Sequence, residues 1–339
     1  MLSTTKPTMY YDRLIHPDIE VSLLNTFNWL VPYVKMNSDL DFQTGAKYIS
    51  VYRGTSRIVT LKSVRGKVTA EADDYYRNNF STSKFYNGIY TQAAFDELVQ
   101  MVRKDLTLSS YYVNTNSANP IYNEGYYQNI ISRRYSLFSK STDDFIIFDK
   151  EFEFGYLNTE TRDTINLPIS NEITAIFNKS KSNNLNSRFP SKYKASYKEC
   201  DFIALNKNGD IILLELKSDN TSAQKIYLAP LQVAMYCKLT EYYMTKFKDT
   251  FEKTVFDMVA QKQRLGMIDN GWKMPTHLSG KILNKVIVGT NPFDVANLNN
   301  SIDVKTKSRA ITTEIRNAGF SVDWYTSDST GQLVQASYP

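Results

Sequence analysis

Residues 199–217 read Glu199-Cys-Asp-Phe-Ile-Ala-Leu-Asn-Lys-Asn-Gly-Asp-Ile-Ile-Leu-Leu-Glu-Leu-Lys217. Two apolar runs, 202–205 and 211–214, flank a short polar segment, which predicts strands over about 197–205 and 210–218 joined by a hairpin turn. An apolar strand that ends in Glu215-Leu216-Lys217 is unusual. Side chains alternate along a strand, so Glu215 and Lys217 share a face with Ile211 and Leu213. Charges there need partners, because burying an unpaired charge is costly. The turn decides whether Asp201 is one of them. A two-residue Asn208-Gly209 turn would set Asp201 across from Leu216, on the other face. A three-residue Lys207-Asn208-Gly209 loop pairs Asn206 with Asp210 and sets Asp201 opposite Glu215. Such loops need a left-handed residue in third position, and Gly209 supplies it. The longer loop is therefore predicted. It gathers two carboxylates and an ammonium on one face, with cross-strand Cβ atoms about 5 Å apart. Hard oxygen donors of this kind suit Mg2+ or Mn2+ rather than zinc.

Outward from the hairpin, the second half of the chain reads as α/β. A polar connection over 158–163 and Pro168 leads to a short helix capped by Ser170 or Asn171, with Ile173, Ile176 and Phe177 on one face. Beyond the hairpin, 230–266 reads as helical, with Pro230 in its first turn. A buried strand follows at 285–289, then a helix at 307–317 and a strand at 320–326. The order αββαβαβ predicts a mixed central sheet flanked by helices. The first half reads as a separate mixed α/β unit. It has a helix over 17–34, a hairpin of 47–52 and 56–62 around Gly54, a helix over 91–105 and an alternating strand over 145–154. Glu151 and Glu153 share a face of that strand, which a solvated strand face explains. The chain is divided accordingly into 1–155, an accessory domain without a chemical signature, and 156–339.

Composition narrows the chemistry. The 339 residues contain two cysteines, Cys200 and Cys237, and two histidines, His16 and His277, all widely separated. A disulfide scaffold, a Cys/His zinc site and most histidine-based catalysis are thereby disfavoured, and a reducing compartment is favoured. Carboxylates and lysines are left to carry any chemistry. No apolar run approaches the length of a membrane helix, and the opening Met1-Leu-Ser-Thr-Thr-Lys6 does not resemble a signal peptide, so a cytoplasmic chain that leaves membranes alone is expected. The net charge of +5 is unevenly placed. Residues 1–155 hold 17 Lys and Arg against 17 Asp and Glu, leaving 23 against 18 of the totals of 40 and 35 for the rest. The densest patch sets Lys179, Lys181, Arg188, Lys192, Lys194 and Lys198 among Phe189, Tyr193 and Tyr197. Basic side chains meet phosphates and aromatics stack on bases; a solvated, lysine-rich loop is the plainer explanation.

The combination of Asp201, thirteen intervening residues and Glu215-Leu216-Lys217 resembles the PD-(D/E)XK nuclease superfamily. Gln232-Val-Ala-Met-Tyr236 is similar to the Gln-x-x-x-Tyr motif of its RecB-like and lambda-exonuclease-like members. The resemblance covers about residues 165–330. It implies a restriction-endonuclease-like core and Mg2+-dependent hydrolysis of DNA phosphodiester bonds, leaving 5′-phosphate ends. By the same resemblance Asp201, Glu215 and the Leu216 carbonyl hold the metal, Lys217 orients the attacking water, and Gln232 and Tyr236 hold an adjoining phosphate. Many RecB-like members place a further acid or histidine on the helix before the strands, and Glu172 is the candidate for it. Glu199 is placed to support the metal or the lysine, or to pair with a loop lysine. Cys200 stands where the family's motif has proline. The Gln-x-x-x-Tyr motif favours an exonuclease. The alternatives are a site-specific or defence-related endonuclease and, from another class, a catalytically inactive module that binds nucleic acid or protein. RNA stays open beside DNA as substrate. Ser279-Gly280-Lys281 lacks the spacing of a phosphate-binding P-loop, so any helicase or recombination motor would be a separate subunit, and a second copy of the chain is the other partner considered.

Overall fold

The turn chemistry of residues 206–210 sets the register of the sheet around it. The structure, a computed structural model, describes residues 8–79, 85, 88–105, 112–114, 121–184, 189–193, 199–218, 223–289 and 298–336. The strands Cys200–Asn206 and Ile211–Lys217 pair antiparallel, with Phe202 opposite Leu214 and Leu205 opposite Ile211. The Asn206 N–H donates to the Asp210 carbonyl and the Gly209 N–H to the Asn206 carbonyl. The loop is therefore the predicted Lys207-Asn208-Gly209. Gly209 has φ of 83°, and a Cβ there would run into the His277 carbonyl, so glycine is required on both grounds.

The hairpin lies inside a six-stranded sheet ordered Leu333–Gln335, Asp323–Ser327, Ile282–Val288, Ile211–Lys217, Cys200–Asn206 and Phe145–Phe152. Ile282–Val288 runs parallel to Ile211–Lys217 and to Asp323–Ser327, while the remaining neighbours are antiparallel. Alternation along Ile211–Lys217 sends Ile211 and Leu213 into one core and Ile212, Leu214 and Leu216 into another. The first core takes in the helices Thr159–Ser182, Ala223–Arg264 and Leu298–Asn317. The second is covered by Tyr127, Ile131 and Tyr135 of the helix Glu124–Tyr135. A mixed sheet with helices on both faces is thus present. It extends past the expected boundary at 155/156, since Phe145–Phe152 is hydrogen-bonded to Cys200–Asn206.

A second sheet, Asp41–Gly45, Tyr48–Arg53, Ser56–Val64 and Lys67–Ala72, forms an antiparallel meander. Its core draws on Phe95, Leu98, Val99 and Val102 of the helix Gln92–Lys104 and on Leu265 and Met267 beyond the long helix. Thr91 caps Gln92–Lys104 by accepting from the Ala94 N–H, as its position before an apolar-periodic run suggests.

Four helices depart from expectation, of which Leu298–Asn317 differs only in starting nine residues before the expected 307. The one expected over 17–34 is two, Pro17–Leu24 and Leu30–Met36. Asn25 stops the first by turning its amide onto the Val21 carbonyl, and Pro32 fits the first turn of the second, where a missing N–H leaves no bond unmade. Thr159–Ser182 begins at the Asn158 cap, whose side chain accepts from Thr161 N–H, so 158–163 is the first turn of a helix instead of a connection. Pro168 lies within that helix, and neither Ser170 nor Asn171 caps it. Ala223–Arg264 starts before Pro230, with a non-helical backbone at Phe247. Its early turns bury Ile226, Tyr227, Leu228 and Ala229, and this burial outweighs the hydrogen bond that an interior proline removes.

Candidate active site

Extension of the hairpin register past Phe202 and Leu214 sets Asp201 opposite Glu215 at the open end of the sheet. There three charged side chains leave water together. Glu215 and Lys217 are 2% and 6% exposed, and Asp201 lies half-buried beside them. Lys217 Nζ donates to Glu215 Oε1 at 2.6 Å and to the Leu216 carbonyl at 2.8 Å. Asp201 Oδ2 accepts from the Leu216 N–H at 2.6 Å. Glu215 Oε2 is buried and has no hydrogen-bond partner. Buried polar atoms are nearly always satisfied, so this oxygen is an acceptor of the charged cluster that no protein donor fills.

The electrostatics agree. Burial pushes the Asp201 carboxyl well above the usual carboxylate range, the Glu215 charge adds to the rise, and Lys217 opposes it. Burial likewise raises Glu215, against the pull of Lys217. Burial disfavours the charge on Lys217, but Glu215, Asp201 and Glu124 together outweigh it and hold the ammonium above its ordinary value. With both carboxyls raised, protons offset the negative charge that burial disfavours, and a bound cation would take their place.

Glu124, which the sequence does not single out, adds to the electrostatic field at this group. Its negative charge acts on Asp201, Glu215 and Lys217, and it stands in the first turn of Glu124–Tyr135, the helix on the opposite face of the sheet. A signal was present: Tyr127, Ile131 and Tyr135 recur every four residues after Asn123-Glu124. Glu172, expected to fill such a role, instead pairs with Lys238 at 3.1 Å on a half-exposed surface, because residue 172 falls in mid-helix and not at a helix start.

The remaining expected site residues divide. Tyr236 is buried, and its hydroxyl donates to the Glu199 carbonyl, so it braces the residues before Asp201 and does not offer a free phenol to phosphate. Glu199 joins through that carbonyl, with its side chain exposed. Gln232 is half-buried one turn earlier, but the helix begins at Ala223, so Gln232 does not stand at a positive helix N-terminus. Lys179 pairs with Glu314 at 2.9 Å, and Lys181 donates to the carbonyls of Pro190 and Ser191. Lys192 is exposed, while Arg188, Lys194 and Lys198 lie outside the described residues.

Among the described residues, no group of three or more His, Cys, Asp and Glu side chains is placed to hold a metal ion. The donors present still fit Mg2+ or Mn2+. Two carboxylates and a main-chain carbonyl are hard oxygens, one carboxylate oxygen is unclaimed, and Mg2+ commonly binds through one or two carboxylates while keeping several waters. No helix among the described residues is long and apolar enough to cross a membrane. Comparison with family models, with curated proteins and with solved structures gives no match. The fold and site therefore define a mixed α/β protein with a carboxylate–lysine cluster at one end of its central sheet.

Proposed function

We propose that this protein is a Mg2+-dependent nuclease that hydrolyses DNA phosphodiester bonds, built on a restriction-endonuclease-like core. The observation that carries this reading is the pairing of Asp201 with Glu215 beside Lys217, with Glu215 Oε2 buried and unpartnered. The mixed, helix-flanked sheet and its parallel strand Ile282–Val288 are in keeping with such a core.

Asp201, Glu215 and the Leu216 carbonyl would hold the ion. Bound there, a divalent metal supplies charge neutralisation at the phosphate and an acidified water. The chain's own groups do the rest. Lys217, fixed by two hydrogen bonds and kept charged, has a third N–H with which to orient the attacking water and offset charge developing on the phosphate oxygens. Glu124 adds negative charge from the other face of the sheet, which strengthens the attraction for a cation. Tyr236 holds the Glu199 carbonyl and with it the strand that carries Asp201. Exposed Lys192 is available to the phosphate backbone.

Incubation of the purified chain with linear, nicked-circular and covalently closed DNA, with Mg2+ or with EDTA, tests the reading. Loss of linear DNA alone, requiring Mg2+, marks the expected exonuclease. Loss of closed circles marks an endonuclease of the same fold. Binding without cleavage of any form, or of RNA run in parallel, overturns the enzymatic assignment and leaves a binding module.

A further inference from the structure

Toward the other end of the hairpin strands from Asp201 and Glu215, where Asn206 and Ile212 border the turn, the central sheet forms one wall of an open cavity. Its volume is about 390 Å³, within the range of small-molecule sites. Alternation along Ile282–Val288 turns Lys285 toward it, on the same face as Leu283 and Ile287. Lys285 is 9% exposed. Its ammonium donates to the Tyr325 hydroxyl at 2.5 Å and stands 4.0 Å from the centroid of that ring. Among the described residues it forms no ion pair, although Asp323 is its register partner on the next strand. A buried charge without a counter-ion is costly, and the bond to Tyr325 leaves two of the three N–H groups uncommitted.

Two hydroxyls on the cavity wall add to this. Tyr135 is 4% exposed and accepts from Gln332 Nε2 at 2.9 Å and from the Leu333 N–H at 3.0 Å. Those bonds occupy both lone pairs and leave its proton without an acceptor among the described residues. The Tyr325 hydroxyl, which accepts from Lys285, likewise has a proton to give. All three groups are donors. The acids on the cavity wall do not answer them, since Asp143 is held by the two terminal nitrogens of Arg134 at 2.7 and 2.8 Å and Asp144 is exposed. The rest of the wall is apolar. The rings of Tyr135 and Phe145 stack with centroids 4.4 Å apart, beside Ile212, Leu283 and Leu333.

We propose that this cavity binds a small molecule that joins an oxyanion, phosphate or carboxylate, to a planar ring. Lys285 and the Tyr135 and Tyr325 hydroxyls take the oxyanion, and the ring lies on the apolar part of the wall. The ligand supplies the counter-ion that Lys285 lacks. The site is separate from the cluster of Asp201, Glu215 and Lys217, and it stands whether or not the chain cleaves DNA.

The test is calorimetric titration of the full chain, in EDTA so that no metal takes part, with 2′-deoxyadenosine 5′-monophosphate, benzoate, deoxyadenosine and inorganic phosphate. Saturable binding of the mononucleotide or of benzoate is expected, and the tighter of the two identifies the oxyanion as phosphate or carboxylate. Deoxyadenosine lacks the charge and inorganic phosphate lacks the ring, so each should bind weaker than the mononucleotide by about tenfold or more. Lys285→Met keeps an apolar stem and removes the ammonium, and should weaken the bound anion by about tenfold or more. Should that variant not fold, Leu283→Trp, which fills the cavity and leaves Lys285 in place, substitutes for it and should abolish binding. The proposal is overturned if neither ringed anion binds, if deoxyadenosine or inorganic phosphate matches the tighter of them, or if the variant binds as the wild type does.

Discussion

Two clusters of buried charge lie in this molecule, and they are built in opposite ways. The first joins Arg13, Asp41, Asp149, Lys150 and Lys262 between the two sheets. Arg13 Nε meets Asp149 at 2.9 Å, Lys150 Nζ meets Asp41 at 2.6 Å, and Lys262 Nζ donates to the Phe148 carbonyl at 2.5 Å. Tyr11 donates to the same Asp149 oxygen as Arg13, and Thr44 to the other. None of its buried side-chain nitrogens and oxygens is left without a partner. The second cluster, Asp201, Glu215 and Lys217, sets two raised carboxyls beside one ammonium and keeps one buried carboxylate oxygen unmatched. Burial of charge alone therefore does not mark a site. The first cluster is closed and ties elements together; the second leaves one acceptor unfilled by the protein, and the proposed metal site rests on that opening.

The largest difference should appear in activity. Glu215→Ala or Lys217→Ala should lower Mg2+-dependent cleavage on the order of 10³-fold, with the chain still folded by circular dichroism. Undiminished cleavage by either variant would break the assignment of the second cluster. Asp149→Ala should show the reverse pattern. It strands Arg13 and two hydroxyls, and should cost about 3–5 kcal/mol of stability in denaturant unfolding, while the folded fraction keeps its Mn2+ affinity. A small stability loss there would mean that the first cluster is not the tie described.

The clusters should also respond to pH with opposite slopes. Carboxyl groups raised in the folded state stabilise it while protonated. That contribution is complete below the ordinary value near 4 and is lost as pH rises toward the folded values of Asp201 and Glu215. Lys262 is pushed down to about 8 by burial, so the unfolded chain binds its proton more readily. Its contribution is complete above the ordinary 10.5 and is lost as pH falls through about 8. Urea unfolding in EDTA should therefore lose stability from pH 4 upward and regain some between pH 8 and 10.5. Glu215→Gln should flatten the first limb and Lys262→Met the second. Limbs unchanged by these substitutions would show that other groups govern them.

The smallest effect is expected at Glu172. Its ion pair with Lys238 is largely solvated, so Glu172→Ala should change stability by about 0–1 kcal/mol and leave cleavage as it was. A large loss of cleavage would return Glu172 to the site in place of Glu124.

What the sequence made legible follows from the range of the forces involved. The hairpin and its register are local: Gly209 and the parity of a two-stranded ladder place Asp201 opposite Glu215 with nothing else required. The helix that begins at Glu124 has a readable four-residue apolar spacing, but its nearness to Asp201 has no local trace, since it covers the far face of the sheet, 77 positions earlier. The strand Phe145–Phe152 was recognised, but not its membership of the main sheet, because antiparallel pairing with Cys200–Asn206 spans the whole helix Thr159–Ser182. The prolines misled for a physical reason. Local propensity places Pro168 and Pro230 outside helices or at their starts, and burial of the flanking apolar residues carries both helices through. The ion pairs of Arg13 and Asp149 join residues 136 apart and leave no local trace.

The central claim is that the open cluster takes a divalent cation. A crystal of the full chain soaked in Mn2+, with data collected at the manganese absorption edge, addresses it most directly. The account predicts an anomalous peak between Asp201, Glu215 and the Leu216 carbonyl, lost in Glu215→Ala. A well-diffracting Mn2+ crystal with no peak there, or with its peak elsewhere, would contradict it.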